Sequence, residues 1–300
     1  MLVDWASSVA KKFWISSLVI GLTIVAFGTS APELVVNMMS AFSWETDLAI
    51  SNILWSNISN ILLILWVTAT IYPIAMPKST VKKEIPFIIF VSTVLFWLLY
   101  DSVLSRFDAF ILLIFFIIFL YYTYTIAREP KEKAEIKEEK KEWESIQLMT
   151  TKKSALFIII WLFWLIIGWK LIVDSAVNIA SSFWLPMSFI WVTIVAIWTS
   201  LPELATSIMA AFKKNTDMAI WGIVWSNIFN TLWILGITWF IHPLNWYKWM
   251  HFDLSIELIA SLLIFITAFT FKKYFLVRLE WIILFLAYLS YIWYLGYNVL

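Results

Sequence analysis

A chain of 300 residues that is 62% apolar, 19% aromatic and only 14% charged is excluded from the soluble globular class, whose apolar share runs near half and charged share near a quarter. It reads as an integral, multi-pass membrane protein. The net charge of +1 hides an uneven distribution of Lys and Arg, and the absence of cysteine rules out disulfides and thiolate metal sites.

Allowing about 20 apolar residues per crossing, helices are predicted in chain order over 16–42, 47–72, 84–100, 107–126, 153–181, 186–212, 217–242, 251–271 and 276–298. No cleavable signal peptide is evident, since Met1 opens on LVDWASSVAKKF. Residues 1–14 match 171–184, but the apolar run 154–170 has no partner upstream of Met1. At ~1.5 Å per residue the remnant spans about 20 Å of a ~30 Å hydrocarbon core. The expectation is a truncated first helix, or a true start that lies upstream.

Thr23 to Pro73 reads TIVAFGTSAPELVVNMMSAF, a turn, and DLAISNILWSNISNILLILW; Thr193 to Pro243 reads TIVAIWTSLPELATSIMAAF, a turn, and DMAIWGIVWSNIFNTLWILG. The copies superpose without a gap at a shift of 170 (203 − 33), the self-similarity of a repeat architecture. Thr29, Ser30, Pro32 and Glu33 fall on Thr199, Ser200, Pro202 and Glu203, and Ser56, Asn57 and Asn60 on Ser226, Asn227 and Asn230. Carboxylates, hydroxyls, amides and a proline inside membrane-length apolar stretches mark a functional site by default.

Lys11 and Lys12, then Lys78, Lys82 and Lys83, then Arg128 to Lys153, then Lys213 and Lys214, then Lys272, Lys273 and Arg278 occupy alternate loops, while the loops between hold only Arg106 and Lys248. The positive-inside rule puts the rich set in the cytoplasm. The turn Ser43-Trp44-Glu45 of the first copy corresponds to Lys213-Lys214 in the second, so the copies lie upside down to one another, the inverted-repeat plan of secondary transporters. The expected architecture is all-α, with two inverted-topology repeats of about five helices each. One half is 1–126, the other 153–300, and the charged segment 127–152 is a cytoplasmic linker.

Pro32 lacks an N–H, so the carbonyl of Gly28 loses its helical partner, and Pro202 does the same at Trp198. In lipid such freed groups must be re-satisfied by protein, water or an ion. Hydroxyl, carbonyl and carboxylate oxygens of Thr29, Ser30 and Glu33, and of Thr199, Ser200 and Glu203, therefore line one short stretch in each copy. Asn60 stacks on Ser56, and Asn230 on Ser226, four residues apart. These are hard oxygen ligands of the kind calcium takes six to eight at a time; softer metals prefer nitrogen or sulfur. One divalent cation neutralises two facing carboxylates. Sodium or protons can replace it, because a buried carboxylate without a cation tends to take a proton. A site neutral with either cation and costly when empty is the physical basis of exchange.

At these residues the chain resembles the calcium/cation antiporter superfamily, in particular its sodium/calcium exchanger-like prokaryotic members, whose two α-repeats look like GTSAPEL and TSLPELATS, each followed by a helix with the SNxxN pattern. The resemblance implies ten helices and an antiporter of the cell membrane that exchanges calcium for sodium by alternating access. It implies Glu33 and Glu203 as principal calcium ligands and backbone carbonyls near Ala26, Ala196 and Thr199 as further ones. Thr29, Ser30, Ser56, Ser200 and Ser226 would serve flanking sodium sites, beside the amides of Asn60 and Asn230. Proton-coupled relatives tend to carry Asn and Ala where this chain has Thr-Ser, which favours sodium, with proton coupling or a cation channel as alternatives. Some exchangers carry an acid where Asn230 stands; Asn at both 60 and 230 limits the site to a charge of −2. No enzymatic activity, cofactor or nucleic-acid partner is expected. The partners are lipid and the transported ions, and oligomeric state is not readable.

Other polar residues have plainer readings. Lys170 and Asp174 are read as a helix-packing pair, Asp47 and Asp217 as flanking helix starts, and His242 and His251 as interfacial. The tryptophans do not fit a membrane belt: there are 21 against 6 glycines, where Gly is ordinarily about 7% of residues. Gly21 aligns with Trp191, Gly28 with Trp198 and Trp66 with Gly236, while Trp55 and Trp225 precede Ser-Asn where the family carries Gly. An indole there is expected to overfill the ion site. The hypothesis is that many of these positions are glycine in the cell, encoded by UGA read as Gly.

Overall fold

The computed structural model describes residues 26–43, 46–101, 105–127, 196–212, 216–242, 249–270 and 273–299, with isolated positions between 156 and 175. Most of the predicted crossing 153–181, the beginnings of 16–42 and 186–212, the Lys170–Asp174 pair and nearly all of the linker lie outside them.

Each proline acts where the sequence places it. The first motif helix divides into α1 (Ala26–Thr29) and α2 (Ala31–Phe42). Between them Ser30 has φ −86° and ψ 8°, and the ladder resumes with Leu34 N–H donating to Ser30 O at 3.1 Å. The crossing that follows is α3 (Thr46–Ser59), a π-helical turn Asn60–Ile64, and α4 (Leu65–Ile71). After it come a π-helical turn Thr80–Glu84, α5 (Ile85–Leu98) and α6 (Arg106–Ala127).

The second copy repeats the plan. A break at Ser200 separates α7 (Ala196–Thr199) from α8 (Leu201–Phe212), with Leu204 N–H donating to Ser200 O at 3.0 Å. Then come α9 (Thr216–Phe229), a π-helical stretch Asn230–Leu235 and α10 (Gly236–Ile241), followed by α11 (Met250–Thr267) and α12 (Arg278–Val299). Two of the three π-helical stretches among the described residues open on the motif asparagines Asn60 and Asn230. A π turn inserts one residue and re-aims the side chains beyond it, which is why such turns collect at functional sites.

Two details depart from an all-helical reading. Ile74–Ala75 (β1) pairs antiparallel with Phe275–Leu276 (β2), Ile74 opposite Leu276 and Ala75 opposite Phe275. The predicted helices 251–271 and 276–298 accordingly end at Thr267 and begin at Arg278. Pro73 and Pro77 bracket β1 and cannot continue a helix, and Tyr274, at φ 64°, turns the partner strand back. The ribbon joins residues that lie far apart in sequence.

Among the described residues five helical runs are long and apolar enough to cross a membrane: Ala49–Ile71, Arg106–Thr125, Ala219–Ile241, Met250–Thr267 and Glu280–Tyr297. Of the apolar windows, 78% is buried in Ala49–Ile71 and Ala219–Ile241 but only 28% in Arg106–Thr125 and Glu280–Tyr297, so the motif helices are central and α6 and α12 line the outside. Phe107, Ile117 and Tyr121 on α6 and Trp293 and Tyr297 on α12 are exposed, as a lipid-facing surface requires. The halves exchange partners: α6 packs on α10 and α12 on α4, while α8 packs on α4 and α2 on α10. That reciprocal exchange is what two inverted copies around a two-fold produce.

Candidate functional site

The helix breaks bring the motif residues of both halves to one place. Ser56 donates to Glu33 Oε1 at 3.1 Å, and its repeat mate Ser226 donates to Glu203 Oε1 at 3.1 Å. The halves then cross over. Ser30 Oγ lies 3.0 Å from Ser226 Oγ and donates to Glu203 Oε1 at 3.0 Å, while Ser56 Oγ lies 2.9 Å from Ser200 Oγ. The Thr199 hydroxyl stands beside Glu33 and the Thr29 hydroxyl beside Glu203, and the two carboxylates are close enough to repel one another.

The second polar layer is built of amides. Asn60 Nδ2 donates to Asn227 Oδ1 at 2.9 Å and to Ser226 Oγ at 3.3 Å, and Asn230 Nδ2 donates to Asn57 Oδ1 at 3.2 Å. With the amide nitrogens of Asn60 and Asn230 turned toward neighbouring asparagine and serine side chains, Asn60 Oδ1 and Asn230 Oδ1 are left over. Both are buried without a hydrogen-bond partner, as are Glu33 Oε2 and Glu203 Oε2. Buried polar atoms are nearly always satisfied in folded proteins, and leaving one without a partner costs about 1–3 kcal/mol, more when it is charged. Four buried acceptor oxygens, two from each half, with no donor of the protein's own, form a donor set suited to a hard cation.

The predicted residues thus fall into four groups. Glu33, Glu203, Ser30, Ser200, Ser56, Ser226, Thr29, Thr199, Asn60 and Asn230 share one cluster. Ala26 and Ala196 open the short helices α1 and α7, one turn ahead of the breaks. Asp47 and Asp217 fall in the first turns of α3 and α9. His242 and His251 make ring contacts with Phe42 and Phe96.

The indoles behave differently from expectation. Trp55 is buried and donates through Nε1 to Asp253 Oδ2 at 2.9 Å, and Trp225 is buried with its ring 4.5 Å from that of Phe119. They are seated on α11 and α6, so at these two positions the indole does not overfill the carboxylate cluster, because it leaves the far side of its helix. Trp198 is 49% exposed, and Trp191 lies outside the described residues. What sequence reasoning missed is the acidic pair Asp253 and Glu257 on α11, both buried. Two acids four apart within a predicted crossing were the available signal.

Comparison with known proteins agrees with this geometry. The family described as sodium/calcium exchanger protein matches residues 1–125 and 153–297. The inner membrane protein YrbG of Escherichia coli (strain K12) is 34% identical over 243 residues, covering 81% of this chain and 75% of its own length. The sodium/calcium exchanger MaX1 of Methanosarcina acetivorans is 30% identical over 279 residues, covering 81% of this chain and 79% of its own length. A solved structure of the sodium-calcium exchanger NCX_Mj, soaked with Na+ and Sr2+, aligns over 97% of this chain and 91% of its own, with a TM-score of 0.72 and 28% identity. A two-fold pair of broken helices and matches on both repeats lead to one conclusion: the chain belongs to the sodium/calcium exchanger family and is a multi-pass membrane cation/calcium exchanger.

Proposed function

We propose that the protein exchanges calcium for sodium across a prokaryotic cell membrane by alternating access, with Glu33 and Glu203 as the principal calcium ligands. The observation that carries this reading is the set of buried oxygens without partners, Glu33 Oε2, Glu203 Oε2, Asn60 Oδ1 and Asn230 Oδ1. A divalent cation there offsets both charges and supplies what the amide and hydroxyl donors do not. Carbonyls near Ala26, Ala196 and Thr199 add to the calcium ligands, and the hydroxyls of Thr29, Ser30, Ser56, Ser200 and Ser226, which surround the same carboxylates, suit sodium when calcium leaves. In favour of sodium over protons stand the Thr-Ser pairs and the names of MaX1 and NCX_Mj, both called sodium/calcium exchangers. The halves 1–126 and 153–300 rock about the site, tethered by 127–152; emptied of cations, two facing carboxylates oppose that movement.

Sodium-gradient-driven uptake of calcium-45 into vesicles tests the reading. Glu33→Gln and Glu203→Gln are each expected to lower uptake at least about tenfold, the scale of losing a ligand's support at a metal site. Uptake equal to the parent's in both variants overturns the assignment, and calcium flux that does not saturate or need a sodium gradient points to a channel.

A further inference from the structure

The cluster around Glu33 and Glu203 is two-fold, and one buried carboxylate breaks that symmetry. Glu84 and Asp253 are counterparts: each accepts from a tyrosine hydroxyl, Tyr122 at 2.5 Å and Tyr291 at 2.8 Å, and both pairs are offset by 169 (253 − 84 and 291 − 122). The same offset sets Glu257 opposite Ile88 (257 − 169), so the first half has no acid there. Asp253 is fully engaged, with Trp55 and Tyr291 each donating to one oxygen. Glu257 is not. Its Oε1 accepts from Asn57 Nδ2 at 2.9 Å and distantly from Ser92 Oγ at 3.5 Å, while Oε2 is buried without a partner. One turn along the same face of α11, Ser261 Oγ is also buried and unpartnered. No cationic side chain bonds Glu257 among the described residues.

Asn57 connects this carboxylate to the cation cluster. Its Nδ2 donates to Glu257 Oε1 and to Thr231 Oγ1, both at 2.9 Å, and its Oδ1 accepts from Asn230 Nδ2 at 3.2 Å. A negative Glu257 therefore holds the Asn57 amide with its N–H toward α11 and its oxygen toward Asn230. That in turn points Asn230 Nδ2 away and leaves Asn230 Oδ1 free for a cation. In the other half the equivalent amide, Asn227, is held instead by a backbone oxygen, Nδ2 donating to Asn57 O at 3.0 Å. A carbonyl cannot titrate; a carboxylate can.

We propose that Glu257 is a proton-binding residue that, through Asn57, sets the orientation of the Asn230 carboxamide, so that proton uptake at Glu257 weakens cation binding at the cluster. The proposal rests on the cation site inferred above. A proton fits better than a second metal ion: calcium wants six to eight oxygens, whereas the partners of Glu257 here are one amide N–H and one hydroxyl, and a proton needs only the vacant Oε2. What sets Glu257 apart from its titratable neighbours among the described residues is its bond to Asn57: Glu84 Oε2 is likewise buried without a partner but Glu84 bonds Tyr122 rather than the asparagine layer, and Glu33 and Glu203, in the cluster itself, take up protons alike in the parent and in Glu257 variants. On the elements packed against α11, Asp253 bonds Trp55 and Tyr291, Glu84 bonds Tyr122, and Glu280 bonds Thr270 and the Val277 N–H. His251 makes a tilted ring contact with Phe96 and Tyr294 one with Phe252, Tyr288 approaches Ser59, and Asp47 lies ten residues, about 15 Å, along α3 from Asn57.

The experiment is calcium-45 binding and sodium-driven uptake by the full chain in proteoliposomes, from about pH 5 to about pH 9, for the parent, Glu257→Gln and Glu257→Asp. Because protonation competes with calcium, the parent's half-saturating calcium concentration rises as pH falls. Glu257→Gln imitates the protonated state: at high pH it is expected to need about tenfold more calcium than the parent, with a flatter pH profile. Glu257→Asp keeps the titration but displaces its midpoint. A Glu257→Gln profile superimposable on the parent's, or shifted equally at every pH as a merely structural role would give, overturns the proposal. If the Gln variant does not fold, an unmoved midpoint in Glu257→Asp overturns it equally. A parent that binds calcium but shows no sodium-driven uptake sinks the exchange reading instead, and the binding profile still judges Glu257.

Discussion

Among the described residues, five indole N–H groups, those of Trp66, Trp225, Trp233, Trp239 and Trp281, are buried without an acceptor. Each omission costs on the order of 1–3 kcal/mol, and a chain of marginal stability does not accumulate five such losses for packing alone. Trp66 shows the conflict plainly. It stacks on Phe285 at 3.7 Å, whereas its repeat mate Gly236 sits so close to α6 that a Cβ would stand 3.2 Å from Leu113 Cδ2. Two copies of one element thus place the largest and the smallest side chain at one register. Glycine there lets helices approach closely. The expectation is that the codons for Trp66, Trp191, Trp198 and Trp225 read UGA and are decoded as glycine, and that the intact mass of the protein from its own cell is correspondingly lower. UGG at those four positions ends the idea. The ligand residues were legible for the opposite reason: Glu33 and Glu203 stand out because a carboxylate in an apolar run has no inert role, and the repeat shows it twice. Glu257 was passed over because it occurs once, and a search by self-similarity gives weight only to what is doubled.

At the scale of the element, the broken helices were predictable because proline removes a specific donor, whichever fold surrounds it. The π-helical stretches at Asn60 and Asn230 were not, since an extra residue in a helix leaves no mark in hydrophobic periodicity. Neither was the β1–β2 ribbon, which depends on two short segments meeting across the molecule. The break makes a prediction. Pro32→Ala and Pro202→Ala restore an N–H for the carbonyls of Gly28 and Trp198, allowing α1 to run into α2 and α7 into α8. A straightened helix redirects Ser30 or Ser200 away from the opposite half. Each substitution is therefore expected to raise the half-saturating calcium concentration about tenfold while leaving the folded protein about as heat-stable as the parent, because each proline stands in the first turn of its helix, where proline is tolerated at little cost. A loss of stability together with unchanged calcium affinity, read by thermal unfolding and calcium-45 binding, contradicts this account.

For the whole molecule the question is how far the two-fold reaches. It governs the carboxylates, since Ser56 serves Glu33 and Ser226 serves Glu203 at the same 3.1 Å, and it fails one layer away, where Asn57 answers to a carboxylate and Asn227 to a backbone oxygen. Function is expected to follow the same boundary. Ser56→Ala and Ser226→Ala each remove one hydrogen bond to a charged group, about 1.5–3 kcal/mol, and are expected to weaken calcium binding to within about threefold of each other. Asn57→Ala and Asn227→Ala diverge. Loss of the Asn57 amide cuts the path from Glu257 to Asn230 and flattens the pH profile of calcium binding, whereas loss of the Asn227 amide removes support from Asn60 and lowers affinity at every pH. Calcium-45 binding by the four variants at two pH values separates these cases. A pair of serine variants differing more than about tenfold, or asparagine variants with identical pH profiles, would show that the symmetry seen in the hydrogen bonds does not order the binding energies.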